Sequence, residues 1–152
     1  MKNYIKSISL FCLFIVIVSF QSGDVLCNSK DLKDKAKKGL DPYKYDNFEL
    51  TRIMYKNKET FKEIEIPLFI GEKYRLIFEM EALPKKVLVE IYNKEKENKK
   101  RKLLFSSKDI PDDKTEFVYE VSKARRIYVN YIIPAGDETA KSGCALYMIG
   151  YK

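Results

Sequence analysis

Glu63/Glu65 and Glu79/Glu81 are two carboxylate pairs at i,i+2 in stretches that read as strands. That spacing puts each pair on one face, roughly 6.5–7 Å apart along the chain. Glycoside hydrolysis uses paired acids about 5–5.5 Å or 6.5–9.5 Å apart, so a carboxylate-based hydrolase is one reading. The same pattern marks any sheet face turned to water, and this simpler reading is preferred. The chain contains no histidine, the commonest general base and metal ligand. Ser-His-Asp triads, Cys-His dyads and His-bearing zinc sites are therefore excluded. Asp109, Asp112, Asp113 and Glu116 are the densest acids, but they lack the spacing and turn glycine of a calcium loop and read as turn chemistry. The six glycines are scattered singly, so there is no phosphate cradle. No catalytic residue, metal or cofactor is expected, and the chain is read as not an enzyme.

Aromatic and cationic side chains offer binding instead. Tyr43, Tyr45 and Tyr55 lie near or before the first strand and are candidate contacts for sugar rings, whereas Tyr74, Tyr119 and Tyr131 sit on apolar faces and belong to a core. Lys99, Lys100, Arg101 and Lys102 close the run Lys94–Lys102, which carries six positive and two negative charges. They are candidate contacts for anionic polysaccharide or lipid headgroups. That run has no aromatic platform on which bases could stack, so nucleic acid is not expected as a partner. After position 27 the chain holds 27 basic and 21 acidic residues, and the excess sits in this run and in Ser29–Lys38.

The positioning elements follow from hydropathy. Lys2 and Lys6 precede an uncharged run, Ile8–Phe20, of 13 residues. That is short of the about 20 that span a bilayer, so residues 1–27 read as a signal peptide region cut somewhere between Gln21 and Cys27, which leaves Cys27 on the mature chain, and the mature protein reads as exported, to the periplasm or beyond. Of the cysteines left, Cys27 and Cys144 could form a disulfide once exported. The preferred alternative leaves Cys27 on a loose terminus and Cys144 as a small buried apolar residue. Lipid attachment at Cys27 is disfavoured by Leu26 before it. Residues 28–47 read as a basic linker, with a marginal helix over Ser29–Lys38 that has only Leu32 and Ala36 to bury.

From Phe48 the apolar period becomes two. Phe48–Tyr55, Thr60–Ile70, Tyr74–Met80, Val87–Tyr92, Leu103–Ser107, Phe117–Ser122, Ile127–Ile133 and Cys144–Tyr151 predict eight strands separated by turn residues. The short connections hold no crossover helices, so sequence neighbours are expected to pair antiparallel. The fold expected is all-β: a single antiparallel β-sandwich over 48–152, jelly-roll-like, following the signal helix and polar linker. Both faces of the last strand are apolar, which marks it as interior.

The ending Ser142–Lys152, with Gly71-Glu72-Lys73-Tyr74-Arg75 and the stretch from Leu83 to Asn93, resembles small exported β-sandwich proteins of unknown function from Bacteroidota-type bacteria. The resemblance implies an envelope or secreted location and brings no activity to carry over. The function expected is thus a non-catalytic binding or structural module of the cell envelope, its partner an envelope protein or an anionic polysaccharide. A carbohydrate- or polyanion-binding accessory is the alternative.

Overall fold

Strands β1 (Lys44–Met54), β2 (Thr60–Pro67), β3 (Tyr74–Glu79), β4 (Leu88–Tyr92), β5 (Leu103–Ser106), β6 (Glu116–Val121), β7 (Arg126–Ile133) and β8 (Ser142–Tyr151) follow one helix, α1 (Ser29–Lys38). These elements come from a computed structural model that describes residues 27–121, 123, 125–137 and 140–152. Of the stretch 1–27 expected to be a signal peptide, residues 1–26 lie outside them. All eight expected strands are present, though β2 stops at Pro67 and leaves Leu68–Ile70 in a loop, in two four-stranded sheets ordered β1-β8-β3-β6 and β2-β7-β4-β5. The all-β sandwich is the architecture.

The pairing differs from expectation. Among the described residues, β4 and β5 are the one pair of sequence neighbours that share hydrogen bonds; the other short connections cross between the sheets. Sheets pack about 10 Å apart, a gap that a few residues bridge as easily as they form a hairpin. The antiparallel pairs β1·β8, β2·β7, β3·β6 and β4·β5 nest inside one another. This is a ribbon folded over on itself, the jelly roll.

The core lies between the sheets. Leu76, Phe78, Val89, Ile91, Ile127, Val129, Tyr131 and Ala145 are fully buried. Phe105 and Phe117 stack at 5.6 Å where β5 and β6 close one side. Strand β8 is buried along almost its whole length, held between β1 and β3, as its two apolar faces require.

The segment 28–47, expected to be a linker, is built into the fold. Helix α1 lies on the outer face of the β1-β8-β3-β6 sheet, with Leu32, Ala36 and Leu40 buried against Ile77, Cys144, Leu146 and Met148. Asn28 caps it by accepting from Lys30 N. At the far end Arg75 donates to Gly39 O at 3.0 Å and Asp41 O at 2.6 Å, and β1 begins at Lys44 rather than Phe48. A marginal helix becomes stable because the outer face of that sheet is apolar and offers it burial. Cys27 is not loose either: its sulfur is bonded to that of Cys144, with Cα atoms 5.5 Å apart. The same sulfur cannot also carry a lipid.

Candidate functional site

Seven residues stood out in the sequence as ligand contacts, and the fold does not bring them together. Tyr43 is buried beneath two cations, with Arg75 4.4 Å and Lys152 4.5 Å from its ring centroid. Tyr55 is buried at the opposite end of β1, its hydroxyl donating to Lys85 O at 2.5 Å. Burial pushes that phenol up to about 12. Neither is therefore open as the candidate sugar contact that its sequence position suggested. Arg75 and Lys152 cover Tyr43, and the connections that carry Lys85 and Gly136 close over Tyr55. Tyr45 alone is open, at the shallow groove between α1 and β1 lined by Lys33, Phe48 and Met148.

The basic run is the β4–β5 connection, and it folds back over the outer face of the β2-β7-β4-β5 sheet. Lys96 N donates to Glu63 Oε1 at 3.2 Å, and its ammonium stands 3.9 Å from the Phe61 ring centroid. The Arg101 guanidinium stacks 3.4 Å from the Tyr92 centroid. Asn130, fully buried beneath, donates to Glu63 Oε2 at 2.7 Å and accepts from Arg101, the amide orientation that satisfies both neighbours. Arg101 is therefore a structural residue, whereas Lys99, Lys100 and Lys102 are exposed. The loop thus covers one sheet as α1 covers the other.

A concavity that no sequence pattern marked lies at the end of the sandwich where β3 leads to β4 and β5 to β6. Met80, Val87 and Phe117 form the floor of a cleft of about 460 Å³, and Leu83, Pro84, Ile110, Thr115 and three lysines form its walls. The turn residues Leu83-Pro84 and Asp109-Ile110-Pro111 shape the walls locally. Ile110 N donates to Ser107 O and Lys114 N to Pro111 O, closing two successive turns. Lys86 Nζ ties the walls together, donating to Ile110 O and Asp112 Oδ1, both at 2.6 Å. Lys85 Nζ reaches instead to Ala135 O at 2.9 Å and Asp137 Oδ2 at 3.2 Å. Lys114 is exposed and has no side-chain partner among the described residues. The arrangement can hold a small molecule with an apolar body and an anionic group, since pockets of roughly 300–1,000 Å³ with few convergent polar groups are what such ligands occupy. Only the turn chemistry hinted at it.

The paired acids stand elsewhere. Glu65 bonds Arg126 at 2.9 Å. Glu79 is buried on the outer face of its sheet, and its carboxyl is raised above the usual range by burial first and by Glu116 second. Glu81 pairs with Lys35 of α1. That face was read as a solvent face; the helix covers it. Of the residues that line the cleft, Asp112 is the one carboxylate. Among the described residues no group of three or more His, Cys, Asp or Glu side chains is placed to hold a metal, and no helix is long and apolar enough to cross a membrane. No protein-family model matches the chain, and no curated protein matches it either.

Proposed function

We propose that this protein is an exported, non-catalytic binding module whose ligand site is the end cleft. The observation that carries the reading is the make-up of that cleft: an apolar floor beneath a rim on which Lys114 has no side-chain partner among the described residues. A ligand with an aromatic or aliphatic body would cover Met80, Val87 and Phe117, and its carboxylate or sulfonate would meet Lys114. Export rests on the leader pattern of residues 1–27. The Cys27–Cys144 bridge supports it, because disulfides persist in oxidising compartments. The non-catalytic half draws support from the acids, since Glu63, Glu65 and Glu81 are engaged by neighbours and none of the four paired carboxylates lines the cleft.

The anionic aromatic dye 8-anilinonaphthalene-1-sulfonate tests the reading. Saturable fluorescence enhancement is expected with the native protein. Lys114→Glu, which reverses the rim charge, and Ile110→Trp, which narrows the walls, are each expected to weaken binding about tenfold, equivalent to ~1.4 kcal/mol. Dye binding that neither substitution alters would rule the cleft out.

A further inference from the structure

The β2–β3 connection, residues 68–73, carries at its tip two apolar side chains that stand exposed among the described residues. Phe69 is 79% exposed and Ile70 71%. The loop itself is braced. Leu68 N donates to Arg125 O at 2.8 Å, Phe69 N to Tyr74 Oη at 3.1 Å, and Lys73 and Lys152 exchange backbone hydrogen bonds at 3.0 and 2.9 Å. Gly71, at φ 99°, turns the chain back behind Ile70 in a conformation that glycine tolerates best. The pair is held out from one end of the sandwich on a fixed support.

Cations surround it. Lys73, Lys123, Arg125 and Lys152 are exposed at this end, and the side chains of Lys73, Lys123 and Arg125 make no ion pair among the described residues. The acids nearby are Glu72 in the same loop, Asp41 before β1, Glu65 bonded to Arg126, and Glu120 bonded to Arg75 at 2.6 Å. The β4–β5 loop springs from the same end before folding back. Connections 39–43, 68–73, 93–102 and 122–125, with Lys152, carry ten cations and four acids by sequence; those at the opposite end (55–59, 80–87, 107–115 and 134–141) carry seven of each. The excess charge of the fold is concentrated on the connections of one end.

We propose that this end docks the protein on an anionic lipid bilayer, with Phe69 and Ile70 entering the boundary between headgroups and acyl chains and the cationic collar meeting lipid phosphates. An aromatic–aliphatic pair at a protruding tip gains by leaving water for that boundary. Each neighbouring cation adds attraction to an anionic surface. An anionic polysaccharide would engage the same cations but leave the apolar pair without a role, so the bilayer is the occupant that uses both features. Docked this way, the cleft at the opposite end faces away from the membrane.

The chain has no tryptophan, so Phe69→Trp in the processed protein, with the apolar run Ile8–Phe20 removed and Cys27 kept, supplies a single indole reporter at the tip. With vesicles of equal parts phosphatidylcholine and phosphatidylglycerol, its emission is expected to shift to the blue. The shift should be absent with phosphatidylcholine alone. It should be lost as salt rises from about 0.1 to 1 M, where the screening length falls from about 10 to 3 Å. Co-sedimentation with the anionic vesicles is expected to weaken at least tenfold in Phe69→Ser/Ile70→Ser and in Lys73→Glu/Arg125→Glu, exposed substitutions that leave the fold intact. An indole that stays at its aqueous emission overturns the proposal even if the protein sediments, because another part of the chain is then responsible. Equal binding of dextran sulfate by the wild type and by Phe69→Ser/Ile70→Ser, without vesicle binding by either, overturns it in favour of a polysaccharide site.

Discussion

Cys27 is bonded to Cys144 across a sequence separation of 117 residues, so the residue just before α1 is tied covalently to the central strand β8. In the chain-entropy view, a loop of ~100 residues is worth about 4.7 kcal/mol through its effect on the unfolded chain. The helix that the bridge anchors contributes only Leu32 and Ala36 of its own to the interior. Cys27→Ser/Cys144→Ser is therefore expected to lose about 2–5 kcal/mol of stability. Urea unfolding of the native protein with and without reductant measures it, and a midpoint indifferent to reductant would contradict the assignment.

Tyr131 places a hydroxyl in the interior with no hydrogen-bond partner among the described residues, and burial pushes its phenol far above the ordinary range. The nearby Tyr147 hydroxyl is better served, donating to Glu49 Oε2 at 3.2 Å. An unsatisfied buried polar group costs about 1–3 kcal/mol. Tyr131→Phe should stabilise the protein by an amount in that range, read as a higher melting temperature. A lower one would mean that the hydroxyl is bonded in solution.

The basic loop divides into structural and free cations. Arg101→Ala removes the stack on Tyr92 and strips buried Asn130 of a donor, which should cost about 1–3 kcal/mol. Lys99→Ala and Lys100→Ala are expected to stay within about 0.5 kcal/mol of the wild type. Chemical denaturation of the three variants side by side checks the contrast; equal effects would place Arg101 among the free charges.

Glu79 predicts a pH dependence. Burial and Glu116 raise its pKa in the folded state, so the native protein binds this proton more tightly than the unfolded chain. Its contribution to stability is then full below the unfolded carboxylate pKa of about 4.3 and declines as pH rises toward the folded value. Relative to the wild type, Glu79→Gln should gain stability between acid and neutral pH, with the gain vanishing below about pH 4. Denaturation curves across that interval test the sign, and a gain that grows toward acid would refute it.

The strands were legible because their pattern is local: Tyr74, Leu76 and Phe78 alternate with Arg75, Ile77 and Glu79 whatever lies elsewhere in the chain. The partners of those strands were not. A turn such as Leu83-Pro84-Lys85 reverses or diverts the chain, and its residues do not distinguish a hairpin from a crossing between sheets. The covered outer faces were hidden for a related reason. Ile77, Leu146 and Met148 show an apolar face without saying that Leu32 and Ala36 fill it. Glu79 looks like a solvated acid until α1 is laid over its sheet.

The sequence by itself determined the all-β class, the eight strands, the interior character of β8 and the lack of histidine chemistry, because composition and period depend on near neighbours alone. Tertiary structure decided the rest. It folded the ribbon so that α1 and the β4–β5 loop each cover a sheet, joined Cys27 to Cys144, opened a cleft where two connections meet, and left Phe69 and Ile70 bare among cations at the other end. Each of these depends on residues far apart in the chain meeting in space.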